Sequence, residues 1–191
     1  MKYSKIASFI KKSKRLIIHT SGKEQWISDG TAVYPVLGMP KMSETEMLTF
    51  LNFQDNDKIN VTEWNGDNAM LSDTDPNEEL IESFGPTILV KDEKCTVFYT
   101  SIGALIINEN YLTPVLSHYS EGEPTFYFRC TNGKPYIAVK KGLYLLAAIL
   151  PLKTWELGNS LFIDKYCEFC NMLKLTENNM KLTEEEEREN L

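Results

Sequence analysis

Histidine is scarce in this chain: His19 and His118 are the only two, which removes most acid–base and nucleophile–histidine arrangements. Missing too are a Gly-x-Ser-x-Gly elbow, a His-Glu-x-x-His helix, a Gly-rich phosphate loop ending in Lys-Ser/Thr and a dinucleotide fingerprint. The expectation is a protein that is not an enzyme and uses no cofactor. Cysteine is sparse and scattered. Cys167-Glu-Phe-Cys170 has the form of half a zinc site, but Cys95, Cys130, His19 and His118 supply no second close pair, so no metal is expected. Asp73 and Asp75 beside Pro76 read as turn formers rather than ligands.

Long apolar runs are also lacking. The most apolar stretch is GLYLLAAILPLK, residues 142–153, and its charge-free part from Leu143 to Leu150 is far short of the ~20 residues that span a bilayer. No membrane association is expected. Near the N-terminus, Ile6 to Ile10 is followed at once by Lys11-Lys12-Ser-Lys14-Arg15, which is not a signal-peptide pattern, so the expected compartment is cytoplasmic with reduced thiols.

What the chain does have is an uneven distribution of charge. Residues 1–15 carry six basic groups and no acid, whereas residues 177–191 carry six acids against Lys181 and Arg188, within a net charge of -7. A basic head precedes an acidic body. Ile6, Phe9 and Ile10 at helical spacing place that head on an amphipathic helix over 4–14.

Beyond it, Leu16–His19 and Gln25–Ser28 read as strands, with His19 a packing residue. Asp29-Gly30 signals a sharp bend into Thr31–Tyr34. Ser43-Glu-Thr-Glu46 is a capping box ahead of a helix through Met47, Leu48, Phe50 and Leu51. Lys58–Thr62 alternates as a strand, and residues 66–85 bring six acids and no base, a loop or linker with one short helix near Glu78 to Ser83.

Strands follow at 88–90, 95–99 and 104–107, and Asn108 caps a helix holding Tyr111 to Tyr119 with Pro114 near its first turn. Thr125–Cys130 and the hairpin of Pro135–Val139 with the apolar run to Leu150 complete this half, the second hairpin strand being buried on both faces. Phe162, Tyr166, Phe169 and Leu173 mark one face of a C-terminal helix, and Glu184–Glu187 is a solvated charge run. The division expected is 1–65, an acidic linker at 66–86, 87–153, and a helix with acidic tail at 154–191.

Taken in order, Asn-Glu-Asn-Tyr111-Leu112-Thr-Pro-Val115, Thr125–Phe128, Gly133-Lys-Pro135 and Leu143 through Leu150-Pro151-Leu152-Lys153 resemble the end of a bacterial DNA polymerase sliding clamp. In that family a short helix opening on Tyr-Leu leads through a strand and a Gly-to-Pro turn to a closing strand with an apolar-Pro-apolar-basic ending. Trp26–Val33 and the helix after Pro40-Lys41 are similar to the clamp's Asp-Gly bend and following helix.

The resemblance implies an α+β fold of clamp-like antiparallel sheets with helices on one face, in two compact halves. It implies binding or scaffolding in DNA replication or repair, with a phage or mobile-element origin suiting a shortened clamp. It further implies that Lys5, Lys11, Lys12, Lys14 and Arg15 face double-stranded DNA. Leu150, Pro151 and Leu152 would line a groove for short peptides of replication or repair proteins. The competing expectation is a regulatory or structural module that binds a protein through residues 154–191 and has no DNA role.

Overall fold

A computed structural model describes residues 1–81, 84–116 and 123–152, Phe84 by its backbone alone. The first helix, α1 (Tyr3–Ser13), forms where the apolar spacing predicts it. It buries Ile6 and Ile10 and stops where Lys14 turns left-handed at φ 58°. Three strands follow as a meander: β1 (Arg15–Ser21), β2 (Glu24–Ser28) and β3 (Ala32–Pro35). The bend between β2 and β3 is built by Asp29, whose Oδ1 accepts the backbone N–H groups of Thr31 (2.8 Å) and Ala32 (3.1 Å). Helix α2 (Glu44–Phe50) carries the expected capping box, the Ser43 N–H donating to Glu46 Oε2 at 2.8 Å while Ser43 Oγ accepts from Glu46 N.

Strand β4 (Asn60–Asn65) returns beside β1, and the two run parallel. This departs from the expectation of wholly antiparallel sheets, and the cause is the crossover through β2, β3 and α2, long enough to bring the chain back in the same direction. Next come β5 (Glu79–Leu80), β6 (Phe84–Val90), β7 (Glu93–Thr100) and β8 (Gly103–Asn108). The short helix expected near Glu78 is not formed at Glu79–Leu80. These residues pair with Phe128 and Tyr127 of β9 (Thr125–Thr131), because Glu78 is drawn inward to buried cations and the following backbone lands on a sheet edge.

Asn108 caps as expected, its Oδ1 accepting from Asn110 N at 3.0 Å. The first turn, Glu109–Leu112, is a 3₁₀ helix, and only then does α3 (Thr113–Leu116) begin, with Pro114 in its first turn where no N–H is needed. Tyr119 lies outside the described residues, as do the C-terminal helix expected over 160–175, Cys167, Cys170 and the acidic run at 184–187. The hairpin of β10 (Lys134–Lys141) and β11 (Tyr144–Ile149) is as expected, and β11 is buried on both faces from Leu145 to Ile149.

The larger sheet has the order β4-β1-β2-β3-β11-β10-β9-β5, and the smaller one is β6-β7-β8. Within the larger sheet, α1-β1-β2-β3 and α3-β9-β10-β11 are the same unit used twice. Each is a helix and a three-stranded antiparallel meander, joined through the antiparallel β3–β11 pair at Val33↔Ala148 and Ala32↔Ile149. An antiparallel pair at the seam gives this arrangement an approximate twofold relation.

Both helices lie over the same face. Ile6, Ile10, Met47, Leu112 and Val115 all enter one core with Ile18, Ile27, Tyr34, Ile137, Val139 and Ile149, and Lys2 N donates to Pro114 O at 3.0 Å between the helix starts. The opposite face packs Trp26, Val33, Tyr136, Ala138, Leu145 and Ala148 beneath Leu71. Strand alternation thus assigns successive residues to two cores.

Candidate functional site

On the helix face, α1 divides its cations between two neighbourhoods. Lys5 and Lys12 line a groove of about 600 Å³ together with Phe9, Thr31, Asn108 and Tyr111. Lys12 Nζ lies 2.7 Å from Glu93 Oε1, and Asn108 Nδ2 donates to the other oxygen of the same carboxylate. On the other side of the helix, Lys11 Nζ pairs with Asp57 Oδ1 at 2.6 Å and Lys14 Nζ donates to the Asp57 carbonyl at 3.0 Å. The Gln54 N–H bonded to its carboxylate, then Lys11, hold Asp57 below the usual carboxylate range. The Arg15 guanidinium lies against Gly30, where a Cβ would stand 3.2 Å from Nη1. All five sequence-designated cations are exposed, but among the described residues two of them, Lys11 and Lys12, are already held by acids.

The floor of the groove is a hydrogen-bond relay that joins the two halves. Tyr111 donates its phenolic O–H to Asp29 Oδ2 at 2.9 Å, Tyr34 donates to the Tyr111 carbonyl at 2.7 Å, and the Phe9 ring stands 4.9 Å from the Tyr111 ring. Burial, followed by the nearby Asp29 carboxylate, raises both phenols well above the ordinary tyrosine range, so each stays a neutral donor. The Cys95 thiol is pushed up to about 11, burial again being the main cause. Tyr34, Tyr111 and Asp29 position one another in this relay. Among the described residues no cluster of three or more His, Cys, Asp or Glu side chains comes together to hold a metal ion.

The outer two of the apolar-Pro-apolar residues pack on different clusters. Leu150, Pro151 and Leu152 are half-buried. Leu150 N donates to Thr31 O and its side chain packs with the Trp26 and Tyr136 cluster, whereas Leu152 N donates to Ile106 O and its side chain packs on the Val97 and Ile106 cluster. The segment ties the larger sheet to the smaller one. A separate groove of about 240 Å³ involves Leu37, Met39 and Tyr144, all exposed. His19 is half-buried and 6.5 Å from the Trp64 ring between centroids; burial lowers its pKa, and its Nδ1 has no hydrogen-bond partner among the described residues.

Sequence reasoning missed the most buried charge among the described residues. Arg129 has no exposed surface, and its guanidinium donates to Glu78 Oε2, to Ser72 O at 2.6 Å and to Asp73 O at 3.1 Å. Lys140 reaches the other Glu78 oxygen at 2.7 Å and sits 4.9 Å over the Tyr127 ring. Burial alone would raise Glu78, but hydrogen bonds from Lys140 and Arg129 outweigh it and hold the carboxyl below its usual range. The available signals were two: basic residues inside the apolar strands at 125–131 and 134–141, and an acid-only segment at 66–85. Asp73 completes the attachment by accepting the Leu145 N–H at 2.7 Å, next to the bulge in the β10–β11 pairing.

Compared with known proteins, the chain matches no family model, no curated protein and no solved structure.

Proposed function

We propose that this is a non-catalytic, sliding-clamp-like binding protein, serving a DNA replication or repair apparatus of the kind a phage or mobile element carries. The observation that carries the reading is the paired α-β-β-β unit, with both helices on one face and the cationic α1 among them. Lysines and arginines on a helix neutralise phosphates without reading bases, so contact by Lys5, Lys11, Lys12, Lys14 and Arg15 is salt-sensitive and indifferent to sequence. Light scattering with and without a DNA duplex, at low and moderate salt, tests it. Salt-sensitive association supports the reading, and indifference to DNA at low salt removes it.

A second reading is favoured by a specific observation: Lys11 and Lys12 are each within 2.7 Å of a carboxylate, which spends part of the helix charge inside the protein. On that reading the molecule binds a protein partner through residues 154–191 and has no DNA role. Partner capture that is abolished by deleting 154–191, with no DNA binding by the full chain, distinguishes it.

A further inference from the structure

The smaller sheet has two apolar faces. One joins the main core through Phe98, Leu105 and Ile107. The other carries Ile88, Val90, Cys95, Val97, Tyr99 and Ile106 and points away from it. Cys95 and Val97 are fully buried and Ile106 is 4 % exposed, yet among the described residues the hydrophobic side chain that joins this cluster from outside the sheet is Leu152 alone. Three strands cannot bury their own face; something must lie on it.

We propose that residues beyond Leu152 cover this outer face of β6-β7-β8. The chain is delivered there: Leu152 N donates to Ile106 O at 2.8 Å, so the main chain leaves the described structure alongside β8, with its last side chain already on the cluster. The sequence that follows has the needed chemistry, with Phe162, Tyr166, Phe169 and Leu173 recurring at one-face helical spacing among polar residues. An apolar stripe of that spacing has the chemistry to cover the apolar face that Ile88, Val90, Cys95, Val97, Tyr99 and Ile106 form. This assignment is independent of any DNA role.

Cys95 makes the test direct. In the full chain with Cys130, Cys167 and Cys170 changed to Ser, Cys95 is the single thiol, and its alkylation by N-ethylmaleimide reports whether the face is covered. Introducing Phe162→Glu with Phe169→Glu is expected to speed alkylation at least tenfold; an unchanged rate overturns the proposal. Because those changes can disturb the whole fold, the second measurement leaves the segment intact. A benzophenone amino acid placed at Ile88, on the rim of the face, is photolysed in the otherwise unaltered full chain and the products are mapped. Cross-links to residues within 153–191 of the same chain support the assignment. Cross-links between two copies, or to any other segment, overturn it whatever the alkylation rate.

Discussion

Among the described residues Glu78 is the carboxylate that pairs with two buried cations, Arg129 and Lys140, and removing its charge is expected to cost more than removing that of an exposed acid. Breaking one member of a buried ionic group leaves uncompensated charge, so Glu78→Gln is expected to destabilise by about 3 kcal/mol in urea unfolding. The pH dependence follows from the direction of its shift. A carboxyl held below its unfolded value contributes stability that is fully present above the usual glutamate range and is lost as pH falls through the folded pKa. The difference between wild type and Glu78→Gln should therefore be constant from neutral pH down to that range and shrink below it; a difference that grows on acidification would contradict the assignment. In the groove, Tyr111→Phe leaves Asp29 Oδ2 without its donor, for an expected loss of about 2 kcal/mol by the same measurement. Little of this was legible in the sequence, because a pairing across 51 residues, as between Glu78 and Arg129, is set by which strands become neighbours rather than by local pattern.

At the scale of elements the sequence was far more readable. Helix α1, the capping box of α2, the Asp29 bend and the β10–β11 hairpin all follow from local rules, namely apolar spacing, side-chain caps and turn residues. Ser43→Ala removes the oxygen that accepts the Glu46 N–H, and about 1 kcal/mol of stability is expected to go with it, read as a shift in the urea midpoint at unchanged slope. The misread elements are those whose conformation is imposed from a distance. Glu79–Leu80 has no strand signature of its own and becomes a strand by meeting β9, and the parallel placement of β4 depends on where the α2 crossover deposits it. Gly85 belongs to the same group. A Cβ there would stand 2.8 Å from Val97 Cβ, so Gly85→Ala should lower the thermal midpoint by pushing β6 off β7 at its irregular pairing.

For the molecule as a whole, the proposed DNA contact can be counted. Three of the five α1-region cations, Lys5, Lys14 and Arg15, have no carboxylate partner among the described residues. If these three alone meet phosphates, the slope of log affinity against log salt should be about -3; a slope of about -4.5 would mean that Lys11 and Lys12 leave Asp57 and Glu93 on binding. Glu93→Gln frees Lys12 and is expected to steepen the slope by about 1. No measurable affinity at low salt would dispose of the contact.

The β3–β11 seam also dictates an order of events during synthesis. The first unit, α1 through β3, is made well before β11, with the edge of β3 that β11 covers still unpaired. The strand that closes that edge, through Ala148 and Ile149, is made only after every other strand described. Until then Val33 and Ala32 offer an unsatisfied backbone edge to whatever is nearby. The growing chain thus carries an open strand edge until β11 has been made, and sealing the sheet is a long-range contact between residues far apart in sequence.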